Sequence, residues 1–186
     1  PRSIASLPGM KERTLTMYTF SKKFAMTGWR LGGAIGPSKI IEQITRLNVN
    51  MESCTTHFIQ YAGIAGLKAP KKETQDILDK LRIRRDIIVE TMNSIEGVEA
   101  HSPEAGFYVF PKITNLMKRI GFEDVEEFRR AVLRDTGVSF CGRHHFGRPL
   151  ENESESYIRL AFSGIGKEDL KEGMDLFKNW IESRIQ

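Results

Sequence analysis

Lys22 stands just past the β-forming run TLTMYTF, residues 14–20, and is followed within one loop by Arg30, Gly32 and Gly33. At the C-terminal end of a strand in an open α/β sheet, a side chain reaches the crevice where ligands bind. Arg30 begins an apolar run, and an arginine that opens a buried strand needs an anion. The glycines let backbone or ligand approach closely, while Thr19 and Ser21 add hydroxyl donors. Hydroxyl, guanidinium and amine can therefore converge on one phosphorylated ligand. An amine beside a cation in a partly desolvated site also becomes a nucleophile toward an aldehyde. A phosphorylated aldehyde with this set of partners describes pyridoxal 5'-phosphate.

A second arginine lies far along the chain. In YIRLAFS, residues 157–163, alternation sends Ile158, Leu160 and Phe162 to one face and Tyr157, Arg159 and Ala161 to the other. The first set is core. Arg159 then needs either a partner carboxylate in a structural ion pair or the solvent of a cleft to receive it. Cys54 with His57, and Cys141 with His144, have a C-x-x-H spacing. Each pair lacks the second Cys or His of zinc modules, and the two fall in different expected domains, so no metal site is expected.

These residues need elements to hold them. TLTMYTF reads as a buried strand, RLGGAIG as a second, and residues 37–51 as a helix with Ile40, Ile44, Leu47 and Met51 on one stripe after a Ser38 cap. THFIQYAGIAGLK, rich in small residues, suggests a helix packed closely on other backbone. The break at Ala69 and Pro70 marks a boundary. From Glu73 to Ile95 the residues Ile77, Leu81, Ile88, Met92 and Ile95 make one helical stripe that stops at Gly97. Beyond it, the short runs VEAHS, GFYVFPK, GVSFCG and YIRLAFS read as strands, with helices near Glu123–Asp135 and Lys167–Arg184. The expected class is α/β.

Composition narrows the function. A chain of 186 residues with 40% hydrophobic content can bury a sizeable core. No apolar run reaches the ~18 residues of a membrane span, and the absence of a secretory leader makes a cytoplasmic location the default, with both cysteines as reduced thiols. The net charge of +4 is mixed rather than blocked. KLRIRRD lies in a helical pattern that also carries Asp76, Asp79, Asp86 and Glu90, so it reads as a solvated helix face and no nucleic-acid partner is expected.

The stretch TFSKKFAMTGWRLG resembles the cofactor-attachment motif of class I/II aminotransferases of fold type I, through Thr19, Ser21, Lys22, Ala25, Gly28, Arg30 and Gly32. GFYVFP and YIRLAFS resemble small-domain signatures of the same family, so the likeness covers essentially the whole chain. The family's lysine-to-arginine spacing fits Lys22 and is one residue short for Lys23. The resemblance implies that Lys22 is the Schiff-base lysine, that Thr19, Ser21 and Arg30 bind pyridoxal 5'-phosphate, and that Arg159 binds the substrate α-carboxylate. Lys23 reads as a solvated lysine or, alternatively, as a second cation tuning the cofactor.

The implied activity is amino transfer between an amino acid, possibly aspartate, and a 2-oxo acid. Another pyridoxal-phosphate reaction, of the C–S lyase or cyclopropane-forming synthase type, and a non-catalytic interaction module are the alternatives. The implied architecture is the C-terminal end of a large cofactor domain over 1–70, a linking helix over 71–96 and an α/β small domain over 97–186. The chain opens at Pro1 without an initiator methionine and reads as a C-terminal fragment, expected to transaminate weakly by itself. A homodimer is the assembly that the resemblance implies. The loop FCGRHHFGRPLENESES departs from the family's proline-glycine-serine pattern, carrying Cys141, Arg143, His144 and His145 where substrate choice would be influenced.

Overall fold

β-Branched and aromatic side chains favour an extended backbone at residues 16–19. The computed structural model describes residues 2–148 and 150–185, and there β1 (Thr16–Thr19) pairs antiparallel with β2 (Gly32–Ile35). Register sets Thr16 against Ile35 and Thr19 against Gly32. The hairpin differs from the buried strand that its composition predicts. Met17 is 74% exposed, and burial begins only at Phe20, just past the strand end. The chain divides into two compact units, Pro1–Asp76 and Ile77–Gln186.

In the first unit, α1 (Ser38–Met51) starts directly after Pro37, which itself occupies the cap position. Ser38 is the first helical residue rather than the predicted cap. The apolar stripe of α1 is helical as expected, yet Leu47 and Met51 remain exposed, because a two-stranded hairpin and one further helix offer too little surface to cover it. α2 (His57–Lys68) packs its small residues against side chains rather than backbone. A Cβ placed on Gly63 would lie 2.5 Å from a methyl of Leu31, and one on Gly66 would lie 3.2 Å from the Phe24 ring. The Phe20 and Phe24 rings stack with centroids 5.4 Å apart. They bracket the turn at residues 21–24, so packing along α2 fixes the segment that carries Lys22.

α3 (Lys71–Asn93) begins in the first unit and continues into the second, where Ile88 and Met92 are buried. Gly97 follows with φ +87°, and a Cβ there would meet the Leu116 backbone nitrogen at 2.7 Å, so position 97 requires glycine on both counts. The second unit holds an antiparallel three-stranded sheet in the order β3 (Tyr108–Val109), β5 (Ile158–Ala161), β4 (Cys141–Gly142). VEAHS contributes only a single bridge, Glu99 to Lys112, in place of the predicted strand. α4 (Thr114–Ile120), α5 (Val125–Thr136) and α6 (Lys167–Glu182) complete the unit. The last two match the expected amphipathic helices. α5 is capped by Asp124, whose carboxylate accepts from the Glu126 N–H at 2.9 Å.

Alternation along β5 puts Ile158 and Leu160 into the core with Phe162 just beyond, as the sequence predicts. Phe128, Val132, Met174, Phe177 and Ile181 of α5 and α6 join the same apolar cluster. Phe128 is completely buried, with ring neighbours Phe140 at 5.6 Å, Phe122 at 5.7 Å and Trp180 at 5.9 Å. Phe128→Ala should cost about 3–5 kcal/mol of unfolding free energy, checked by urea titration. A polar fastening lies beside this cluster, where Asp135 of α5 accepts from Trp180 Nε1 at 2.9 Å and Arg184 at 3.1 Å. No helix among the described residues is long and apolar enough to cross a membrane.

Candidate functional site

The β1–β2 hairpin opens on a hollow of about 180 Å³ lined by Thr19, Ser21, Arg30, Leu31 and Gly32. Thr19 lies at the end of β1 and donates its hydroxyl to Ser21 Oγ at 3.0 Å, while accepting from the Ser21 N–H at 3.1 Å. Ser21 Oγ accepts there, so its own proton is available to an incoming acceptor. Arg30 departs from the sequence expectation. It does not open a strand but closes the 3-10 turn Thr27–Trp29 in the left-handed region, φ 55° and ψ 47°, and β2 begins only at Gly32. A non-glycine residue held there is uncommon and costs about 1–3 kcal/mol, a strain that clusters at ligand sites. The Arg30 guanidinium is exposed and donates to the Thr27 carbonyl at 3.2 Å; the Thr27 hydroxyl in turn donates to the Ser21 carbonyl at 3.1 Å.

The donor set suits a phosphate ester: two hydroxyls and a guanidinium line the hollow, and no carboxylate is among the lining residues. The volume is below that of a complete small-molecule pocket, which runs to about 300–1,000 Å³, and is right for the phosphate end of a larger ligand. A pyridoxal phosphate group therefore fits Thr19, Ser21 and Arg30. Lys22 follows Ser21 in the same turn, exposed, with its carbonyl accepting from the Ala25 N–H at 3.3 Å. Lys23 places its ammonium 5.2 Å from the centroid of the Phe24 ring. Thr19, Ser21 and Arg30 are thus brought together, with Lys22 next to them in the chain.

Arg159 belongs to the second unit. It sits at the centre of β5, opposite Cys141 of β4, and its Nη2 lies 3.7 Å from the Cys141 sulfur. Its Cζ stands 4.3 Å from the centroid of Tyr108 and 4.3 Å from that of Phe146. Among the described residues no carboxylate pairs with it, and its Nε is buried without a hydrogen-bond partner. The structural ion pair that would explain a strand arginine is therefore absent among them. Leaving a guanidinium N–H unsatisfied is costly, and an acceptor supplied by a ligand removes that cost.

Phe146 reaches Arg159 on the loop after β4, and this contact has no signature in the sequence. Arg143 and Glu153 close the loop with bonds of 2.7 Å and 3.0 Å, and Glu153 also accepts from the Leu150 N–H at 3.0 Å. The turn Arg143–Phe146 is further tied to α5 through His144 Nε2, 3.4 Å from Glu126. Glu126, His144 and His145 form a grouping with metal-ligand spacing, different from the Cys–His pairs that the sequence shows. Its carboxylate is committed elsewhere, accepting from Arg129 at 2.6 and 2.8 Å and from Arg130 at 2.9 Å, and two guanidinium groups beside it oppose a cation.

The hydrogen bonds from Arg129, then those from Arg130, hold the Glu126 carboxyl down to about 2 from its ordinary 4.5. A depressed carboxyl stabilises the fold fully above the unfolded value and loses that contribution as pH falls through the folded one. Stability should therefore drop between about pH 4.5 and pH 2. A urea midpoint measured across this window should fall less steeply in Glu126→Gln.

A family model described as aminotransferase class I and II matches residues 3–177. An aspartate aminotransferase of Musicola paradisiaca is 37% identical over 88% of this chain and 39% of its own length. An LL-diaminopimelate aminotransferase of Moorella thermoacetica is 35% identical over 93% of the chain and 41% of its own. The crystal structure of an aromatic aminotransferase from Pyrococcus horikoshii OT3 superposes with a TM-score of 0.85 at 33% identity, over 98% of the chain and 46% of that structure. The chain thus spans about two fifths of the length of the curated relatives it matches.

Proposed function

Since the chain belongs to the class I and II aminotransferase family, we propose that it forms part of an enzyme that uses pyridoxal 5'-phosphate to move an amino group between an amino acid and a 2-oxo acid. The observation that carries this reading is the hollow lined by Thr19, Ser21 and Arg30, with Lys22 next to Ser21 in the chain. Ser21 would donate its hydroxyl hydrogen bond to the phosphate, oriented by the Thr19 hydroxyl that donates to it, and the Arg30 guanidinium would neutralise the charge. Lys22 would hold the cofactor through its aldehyde, with release of one water. When bound, the cofactor serves as an electron sink for the charge that forms at the substrate Cα.

The chain's own residues then have two tasks. Arg159 would bind the substrate α-carboxylate through a paired hydrogen bond, which fixes the direction of the Cα–H bond. The Lys22 amine would take the α-proton from the substrate as a general base and return it as an acid. Residues 1–70 would be the end of the cofactor-binding domain, 71–96 a connecting helix and 97–186 the small domain. A homodimeric assembly is supported by the apolar side chains that α1 and α2 leave exposed, including Met51, Phe58, Tyr61 and Leu67.

The test is isotopic. With pyridoxal 5'-phosphate, a 15N-labelled amino acid and an unlabelled 2-oxo acid, the protein should yield labelled amino acid from the acceptor, read by mass spectrometry. Labelled ammonium in place of labelled amino acid would assign an elimination reaction to the same residues. No label movement and no retained cofactor would leave only a binding or structural role.

A further inference from the structure

We propose that Gly63 of α2 is a positioning residue for the anion hollow: having no side chain, it leaves room for that of Leu31 and keeps this wall drawn back from an entering phosphate ester. The role rests on the reading that Ser21 and Arg30 hold the phosphate of pyridoxal 5'-phosphate, and it adds what sets the width of the space between them.

Leu31 is fixed through its backbone. It follows Arg30, held in the left-handed region, and precedes Gly32, where β2 begins and where a Cβ would lie 2.9 Å from the Tyr18 carbonyl oxygen. Its own carbonyl accepts from the Phe20 N–H at 3.1 Å. Under strain, the side chain turns before the chain moves. That side chain is half-buried between two surfaces. On one side it lines the hollow of about 180 Å³ with Thr19, Ser21 and Arg30. On the other, one of its methyls meets α2 at Gly63, a buried residue of that helix.

A Cβ on Gly63 would stand 2.5 Å from Leu31 Cδ2, and 3.4 and 3.6 Å from two carbons of the Phe20 ring. Non-bonded carbons settle at about 3.5–4.0 Å, so the Leu31 methyl would have to leave. It cannot leave toward the rings. Phe20 is 8% exposed and stacked on Phe24, which itself lies against Gly66 of α2. The open space beside Leu31 is the hollow, and a methyl at position 63 turns Leu31 into it, across the approach to the Ser21 hydroxyl and Arg30. Closely packed groups transmit such a displacement rather than absorb it. The backbone offers no other reason for glycine here: position 63 lies inside a helix, where alanine is the better helix former. What requires glycine is the neighbouring methyl of Leu31.

The experiment compares the parent protein with Gly63→Ala, Leu31→Ala and the double variant. Each is titrated with pyridoxal 5'-phosphate and with pyridoxal, which has the aldehyde and no phosphate, and capture is trapped by borohydride and read from the mass of the peptide spanning residues 14–30. Gly63→Ala should raise the half-saturating concentration of pyridoxal 5'-phosphate about tenfold or more and leave that of pyridoxal unchanged. The double variant should return to within about threefold of Leu31→Ala alone, because the added methyl then has nothing to push. Amide circular dichroism and a thermal melt accompany each titration. Capture by Gly63→Ala at the parent's concentration overturns the role of Gly63 and leaves the phosphate reading standing. So does a double variant as weak as Gly63→Ala, since the methyl then acts on something other than Leu31. Loss of both aldehydes together with a lower melting temperature makes Gly63 merely structural and overturns the role as well. If the parent captures neither aldehyde, or takes the phosphorylated one no better than pyridoxal, the phosphate reading itself fails and the role of Gly63 with it.

Discussion

Lys22→Ala should abolish covalent capture of pyridoxal 5'-phosphate: after borohydride reduction, the peptide spanning residues 14–30 should carry no cofactor mass, whereas Lys23→Ala should leave the modification in place. The two lysines are adjacent and both exposed, so composition alone cannot rank them. Geometry can. Lys22 directly follows Ser21, whose hydroxyl lines the anion hollow with Arg30, while the Lys23 ammonium is drawn over the Phe24 ring. A cation near an aromatic face gains modest electrostatic attraction and is turned toward the packed side of the turn. Turnover should fall by roughly 10²–10⁴-fold or more in Lys22→Ala, since on the proposed function the same amine would both attach the cofactor and move the α-proton. Loss of capture in Lys23→Ala, with capture intact in Lys22→Ala, would shift the assignment by one residue.

The second large effect is at Arg159. Arg159→Gln should lower kcat/KM on the order of 10²–10³-fold, because on the proposed function the substrate carboxylate would lose a paired partner. Lysine at this position should recover only part of the loss, since an ammonium cannot reproduce a two-point fork. Thermal stability gives the discriminating readout. A strand arginine in a structural ion pair destabilises the fold when removed, because its carboxylate is left behind. Arg159 leaves no such carboxylate among the described residues, and removing it also removes an orphaned Nε. Arg159→Gln should therefore melt at the same temperature as the parent or higher. A site that costs stability in order to wait for ligand behaves in this way.

Much of this arrangement is legible in the sequence, and the parts that are not have common causes. α5 and α6 announce themselves because one apolar face repeats along each and is buried as it predicts. α1 shows the same stripe, and helix formation follows, but periodicity says nothing about what covers the stripe, and Leu47 and Met51 stay exposed. α4 escapes detection because seven residues without a capping side chain carry too little repeat. The alternation of YIRLAFS places Arg159 on the outward face correctly. What periodicity cannot supply is the company on that face: Cys141 arrives by strand pairing and Phe146 by a loop. Arg30 shows the same limit at the backbone, since its left-handed conformation belongs to the turn it closes rather than to its own residue type.

The Arg143–Glu153 pair bears on how such a protein changes over generations. Both oxygens of Glu153 hold Arg143, so the base of the loop is fastened by two side chains, and Phe146 lies close to that fastening rather than at the loop's far end. Loss of either charge at the base would release the turn that carries Phe146, while Tyr108 stays held by its pairing with β5. A substitution there would thus alter the loop's side of the guanidinium alone and leave the sheet in place.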